Sequence, residues 1–144
     1  MGKIALFSIM PCYLPAMRSG KKQYEFRRIP CRCSITKIVF YASAPISSII
    51  GEAKTEQVVS GTPDTVWSIV QSTAGISREA FDTYFDKRTY AYAYRLSNVL
   101  FYDKEIPITC INKYPPQSFY YLSDIQYMKI RLTFLPKFKI AKDC

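Results

Sequence analysis

Lys22, Glu25 and Arg27 stand close together in the run Gly20-Lys21-Lys22-Gln23-Tyr24-Glu25-Phe26-Arg27. Two cations beside one carboxylate form either an ion-pair network or a seat for an anionic ligand. In the first reading Glu25 pairs with Arg27 or Lys22 to satisfy a partly buried wall. Burying three charges costs more than an apolar wall of the same volume, which argues that the charges have a task. In the second reading Lys22 meets a phosphate or carbonyl oxygen as a point charge. Glu25 then accepts from an exocyclic amine or a ribose hydroxyl, and Arg27 orients Glu25 or stacks on a base. The chain contains no histidine. Ser-His and Cys-His nucleophile pairs, histidine-ligated zinc and imidazole bases are therefore excluded within the chain.

Charge is concentrated around this cluster. The 144 residues carry a net charge of +9. Residues 1–40 hold eight basic side chains against Glu25 alone, a net +7, whereas residues 41–128 come to −2 and residues 129–144 to +4. Such runs form either a solvated face or a phosphate-binding surface, because each neutralised phosphate releases condensed counterions. On the second reading Lys21, Arg28 and Arg32 contact a nucleic-acid backbone. Bases splayed from a single strand stack on aromatic rings, and Tyr13 and Trp67 are singled out as pocket walls among the many Tyr and Phe that must be core. Ser43 either takes part in the chemistry or caps a strand end in its Ser-Ala-Pro turn.

The cysteines at 12, 31, 33, 110 and 144 are an odd set without the spacing of a disulfide scaffold, which fits a reducing cytoplasm. Cys31-Arg32-Cys33 lacks the second pair that structural zinc needs, and reads as two thiols at a strand start. No metal and no cofactor are expected, nor is a membrane span, since Pro11 interrupts the first apolar run.

The elements that position these residues follow from periodicity. Residues 4–10 read as a buried strand, and 11–19 as a loop and short helical turn ended by Gly20, which tolerates positive φ. In a strand over 22–28 Glu25 and Arg27 share one face, and Lys22 falls on the other parity. Further strands are expected over 37–42, 49–59, 90–96, 98–102 and 106–111. Tyr90-Ala91-Tyr92-Ala93-Tyr94 alternates large and small residues, predicting one crowded and one close-packed face. Thr62 or Pro63 opens one helix and Ser77 caps another over 78–86, where Ala80, Phe81, Tyr84 and Phe85 form a core stripe. Pro115-Pro116 breaks the chain before an aromatic loop at 118–121. Hydrophobic residues at 49% and charged ones at 22% suit a folded chain, read as one domain over 1–144. Strands with two helices inserted midway give an α+β fold, a small mixed β-barrel of about five or six strands.

The spacing G-x-K-x-x-E-x-R from Gly20 to Arg27 resembles the signature of ASCH domains, a branch of the PUA-like superfamily. Ser8-Ile9-Met10-Pro11-Cys12-Tyr13 is similar to the family's first strand and turn. Tyr41-Ala42-Ser43-Ala44-Pro45 and Ile49-Ile50-Gly51-Glu52 resemble its Y-A-S-x-P and I-I-G-E runs. Gly75 to Phe85 is similar to its second helix, and Pro115-Pro116-Gln117-Ser118-Phe119 to its closing loop. The likeness covers roughly residues 3–122, leaving 123–144 as a basic extension that completes the barrel, widens the basic surface or meets a partner. What the resemblance implies is a PUA-like barrel with a cleft beside the signature strand, binding RNA, nucleotides or modified bases. Subgroups resembling this one are described as transcriptional regulators. Related amidohydrolases that deacylate a modified cytidine place a threonine nucleophile where this chain has Glu25, which argues against that activity here.

The function expected from the sequence is a cytoplasmic binding domain for nucleic acid, RNA before DNA, or for a modified nucleotide. One base or nucleoside is seated by Lys22, Glu25 and Arg27, with Gly20, Ser43, Tyr13 and Trp67 around it. The alternative is a metal-independent hydrolase of RNA or a modified nucleoside, in which Lys22 stabilises a phosphorane and Glu25 acts as base. The oligomeric state is left open.

Overall fold

The computed structural model describes residues 2–134. Strand β1 (Lys3–Ile9) runs through its middle, with Ala5, Phe7 and Ile9 on one face and Ile4 and Leu6 on the other. That alternation is the period of two that a strand imposes, and both faces are apolar because both are covered. β1 pairs in parallel with β3 (Ile35–Ala42), and β3 pairs antiparallel with β4 (Ser48–Lys54). β7 (Ser97–Ile106) and β8 (Phe119–Leu122) complete a five-stranded sheet in the order β7-β4-β3-β1-β8.

β2 (Tyr24–Arg27), β6 (Ala91–Arg95) and β5 (Val58–Gly61) form a second sheet in the order β2-β6-β5. β6 joins the two cores. Its Ala91 and Ala93 lie under the helices, whereas Tyr92 and Tyr94 pack toward the large sheet. The small residues give the helices their close approach, and the large ones fill the gap between sheets.

Helix α1 (Leu14–Arg18) follows a 3-10 turn at Pro11–Tyr13. α2 (Pro63–Val70) begins at Thr62, whose hydroxyl accepts from the Thr65 amide, and α3 (Arg78–Tyr84) at Ser77, whose hydroxyl accepts from the Ala80 amide. Each cap satisfies an amide the first turn leaves without a partner. α2 and α3, with Phe85 just past the end of α3, bury Val66, Val70, Phe81 and Phe85 against Phe26 and Tyr24 of β2.

The α+β architecture with two helices inserted midway is as expected. The strands are eight in two sheets, however, and the described residues form no closed barrel. Three corrections account for the change. Residues 49–59 split into two strands that belong to different sheets, β4 and β5, the break being secured where the Thr55 amide bonds Thr36 and the Arg95 amide bonds Gln57. Residues 119–122 are a strand rather than a loop, because β1 offers them a partner edge from Ile4 to Phe7. Residues 108–111 form a 3-10 turn after Pro107, which lacks the amide that would extend β7.

Residues 124–134 of the basic extension are helix α4 (Asp124–Phe134), seated on the large sheet by the fully buried Ile130. Residues 135–144, with Cys144, lie outside the described residues. No helix among the described residues is long and apolar enough to cross a membrane.

Candidate functional site

Lys22 precedes β2 rather than belonging to it, and this is what brings it to Glu25. Its amide donates to the Ala16 carbonyl at 2.9 Å, and it forms an isolated bridge with Ala74. The approach is close enough that a Cβ on Gly75 would overlap Lys22, and Gly75 also holds φ at +71°. Glycine is required there twice over. Turned in this way, the Lys22 side chain joins the face that Glu25 and Arg27 share on β2.

The three charges are buried, Lys22 being only 2% exposed. Lys22 Nζ lies 3.8 Å from Glu25 Oε1 and 3.5 Å from the Ala74 carbonyl, both at or past the outer limit of a hydrogen bond. Its other neighbours are the rings of Phe26, 4.6 Å away, and Tyr13, 5.1 Å away. Burial pushes the Lys22 ammonium below its ordinary pKa, and the nearby Glu25 carboxylate restores only part of the loss. Arg27 is held more firmly. It approaches Glu25 Oε2 at 3.2 Å, donates to the Ser8 carbonyl at 2.8 Å and stacks over Phe7. Its buried Nε nevertheless has no acceptor among the described residues.

These groups line a cavity of about 90 Å³, together with Ser8, Met10, Tyr13, Ile76 and Tyr84. A water needs roughly 10–15 Å³ on this measure, so the space admits several waters, one phosphate or the edge of one base. Tyr13 is the aromatic wall, its phenol held above the ordinary pKa by burial and by the neighbouring Cys12 and Glu25.

The remaining sequence candidates are placed elsewhere. Trp67, half-buried on α2, packs on Phe81 with ring centroids 4.9 Å apart, against the core cluster and away from the cavity. Ser43 closes the end of β3, its amide bonded to the Ile9 carbonyl, and does not line the cavity. Gly20, at φ +79°, turns the chain from α1 toward Lys22 without lining the cavity. Lys21 is exposed on that turn, Arg28 lies beside Tyr84, and Arg32 lines a separate recess with Cys31 and Cys33. Sequence reasoning missed Met10, Ile76 and Tyr84. Met10 lies inside the quoted Ser8–Tyr13 run, but Tyr84 is indistinguishable in sequence from its core neighbours in the α3 stripe. Among the described residues no group of three or more Cys, Asp or Glu could hold a metal ion.

No family model matches the sequence. A curated protein of Zymomonas mobilis subsp. mobilis described as an ASCH domain-containing ribonuclease is 38% identical over 95 residues, which make up 65% of this chain and 64% of that protein. The match thus spans just under two thirds of that relative's length. The crystal structure of ASCH from Zymomonas mobilis superposes with a TM-score of 0.81 at 32% identity, over 89% of this chain and 93% of the other. The N-terminal domain of Staphylothermus marinus McrB shares the fold, with a TM-score of 0.57 at 12% identity over 92% of this chain and 94% of that one.

Proposed function

The chain belongs to the ASCH family, and from that premise we propose that it acts on single-stranded RNA, seating the scissile phosphate in the Lys22 cavity and cleaving the phosphodiester it belongs to. The observation that carries this reading is Lys22 itself. It is a buried ammonium whose protein contacts, at 3.5 and 3.8 Å, are too long to satisfy its three donors, and it faces a cavity of phosphate size. The description of the Zymomonas mobilis relative as a ribonuclease supports the same chemistry.

The arrangement provides a route that uses neither histidine nor metal. Glu25 takes the proton of a ribose 2′-hydroxyl, and the oxygen so released attacks the adjacent phosphorus. Charge builds on the phosphorane oxygens, where Lys22 and Arg27 meet it. The bond to the 5′-oxygen of the next nucleotide breaks, its electron pair stays on that oxygen, and the Lys22 ammonium supplies the proton. A lysine held below its ordinary pKa is a stronger acid than one in water, which suits it to this last transfer. The products are a 2′,3′-cyclic phosphate and a free 5′-hydroxyl, and solvent returns the proton from Glu25 to Lys22.

One observation favours a second reading, recognition without cleavage. Arg27 already engages Glu25 Oε2 at 3.2 Å, which leaves Oε1 to accept from the exocyclic amine of a base. A regulatory role through RNA binding rests on this version.

Both are tested by incubating a labelled single-stranded RNA, its DNA counterpart and its 2′-O-methyl counterpart with wild type and with Glu25→Gln, in the presence of a chelator. The cleavage reading expects RNA alone to be cut, to cyclic-phosphate ends. It expects Glu25→Gln to slow the reaction by about 10²-fold or more while retaining binding. Equal cutting of DNA, or full activity in Glu25→Gln, would overturn the mechanism; bound but intact RNA would leave the reader.

A further inference from the structure

Against the Lys22 cavity, with Arg27 and Tyr84 as the shared wall, lies a second recess of about 310 Å³ lined also by Arg28, Arg88 and Gln117. No carboxylate lines it. Among the described residues neither Arg28 nor Arg88 forms an ion pair, whereas Arg78 on the same lobe is paired with both Asp64 and Asp82. Arg28 is also fixed in place. Its Nε donates to the Tyr84 carbonyl at 2.7 Å, and its guanidinium lies 4.3 Å from the centre of the Tyr84 ring. Tyr84 is anchored in turn by its hydroxyl, which donates to the Phe26 carbonyl. Arg28 is thereby held beside the recess at little further cost in conformational freedom, and its two terminal nitrogens, exposed to solvent, bond no acceptor among the described residues.

Arg27 is already offset by Glu25, but the exposed Arg28 and Arg88 bring to the recess positive charge that no carboxylate of the described residues pairs, which favours an anion there. Resting on the function proposed above, we infer that this recess holds the phosphate next to the one seated in the Lys22 cavity. The substrate is then a polynucleotide, gripped at two successive phosphates, rather than a free nucleoside. Tyr84 is the partition over which the backbone passes from one site to the other. Arg28 and Arg88 act as positioning residues and touch no reacting atom.

The test measures binding of two uncleavable 2′-O-methyl ligands: a nine-nucleotide single strand, and a dinucleoside monophosphate whose single phosphate fills only the cavity. Wild type, Arg28→Met, Arg88→Met and Lys22→Met are titrated at several salt concentrations, with thermal melts to confirm folding. Each arginine variant is expected to weaken the nine-nucleotide strand about five- to tenfold. Each should also flatten its log–log salt dependence by about 0.7, the value for one lost phosphate contact on a single strand. Affinity for the dinucleoside should stay within twofold, whereas Lys22→Met weakens both ligands. Unchanged affinity and salt slope for the long strand in both arginine variants, or equal losses on both ligands, would overturn the inference. Losses on the long strand in the arginine variants but none in Lys22→Met would keep the recess and remove the cavity reading.

Discussion

The molecule buries two glutamates, and their surroundings are opposites. On the α4 side of the large sheet, Glu52 is 7% exposed and saturated. Lys37 Nζ lies 2.7 Å from its Oε2, the Tyr102 hydroxyl donates to Oε1 at 2.8 Å, and the Tyr127 hydroxyl lies 2.8 and 3.0 Å from the two oxygens. Burial alone would raise the carboxyl's pKa and lower the ammonium's. The hydrogen bonds and charges win on both sides, holding Glu52 below the usual carboxylate value and Lys37 above the usual lysine value. On the other side, the contacts of Lys22 are an ångström longer, burial wins, and an open space lies beside it. Buried charges with every partner in place fasten α4 to the sheet, whereas the under-paired Lys22 is the ground on which the ligand site is proposed.

The sharpest break is at Glu52. Glu52→Ala strands Lys37 and two tyrosine hydroxyls and is expected to cost about 3 kcal/mol, the low end for a broken buried pair because Lys37 reaches solvent. Urea unfolding measures it, and the RNA cleavage proposed above should be unchanged in the folded fraction, since the cavity is elsewhere. Gly75→Ala should come next, at about 2 kcal/mol, because it strains a left-handed residue and pushes on Lys22. Here cleavage should fall as well, which distinguishes it from Glu52→Ala.

A smaller effect follows from pH. Because the folded Glu52 pKa lies below its ordinary 4.5, the stability it contributes is complete above that value and is lost as pH falls through the folded one. The stability difference between wild type and Glu52→Gln should therefore shrink below about pH 4.5. Lys22 acts in the same direction but in the alkaline range, where a penalty on its buried ammonium is relieved rather than a contribution gained. Its folded pKa lies below the ordinary 10.5, so between the two the unfolded chain binds more protons and stability rises with pH. Lys22→Met should remove that alkaline rise, an outcome read from melts across the range.

Much of this was legible in the residues. The apolar runs at 4–10 and 37–42, the Tyr/Ala alternation at 90–96 and the caps at Thr62 and Ser77 are local signals, and local physics obeyed them. The G-x-K-x-x-E-x-R spacing picked out Lys22, Glu25 and Arg27 together. What stayed hidden depends on long-range partners. Strand parity alone sets Lys22 on the far side from Glu25, and only its bridge to Ala74 turns it back. Residues 119–122 look like a loop until the edge of β1 claims them. Tyr84 has the spacing of a core residue yet lines two recesses, because it is the last residue of α3 and its hydroxyl is drawn to the Phe26 carbonyl of β2. Trp67, prominent by type, lies half-buried on α2 against the core cluster instead.

The most direct test of the contrast between the two glutamates is Lys22→Met, with RNA cleavage rate and melting temperature measured on the same preparation. The account predicts that cleavage falls by about 10²–10³-fold, as for loss of one group that stabilises transition-state charge, while the melting temperature holds or rises because an under-paired buried ammonium is gone. A protein that melts several degrees lower yet cleaves RNA at the wild-type rate would contradict it, placing Lys22 with Lys37 among the fastenings of the fold.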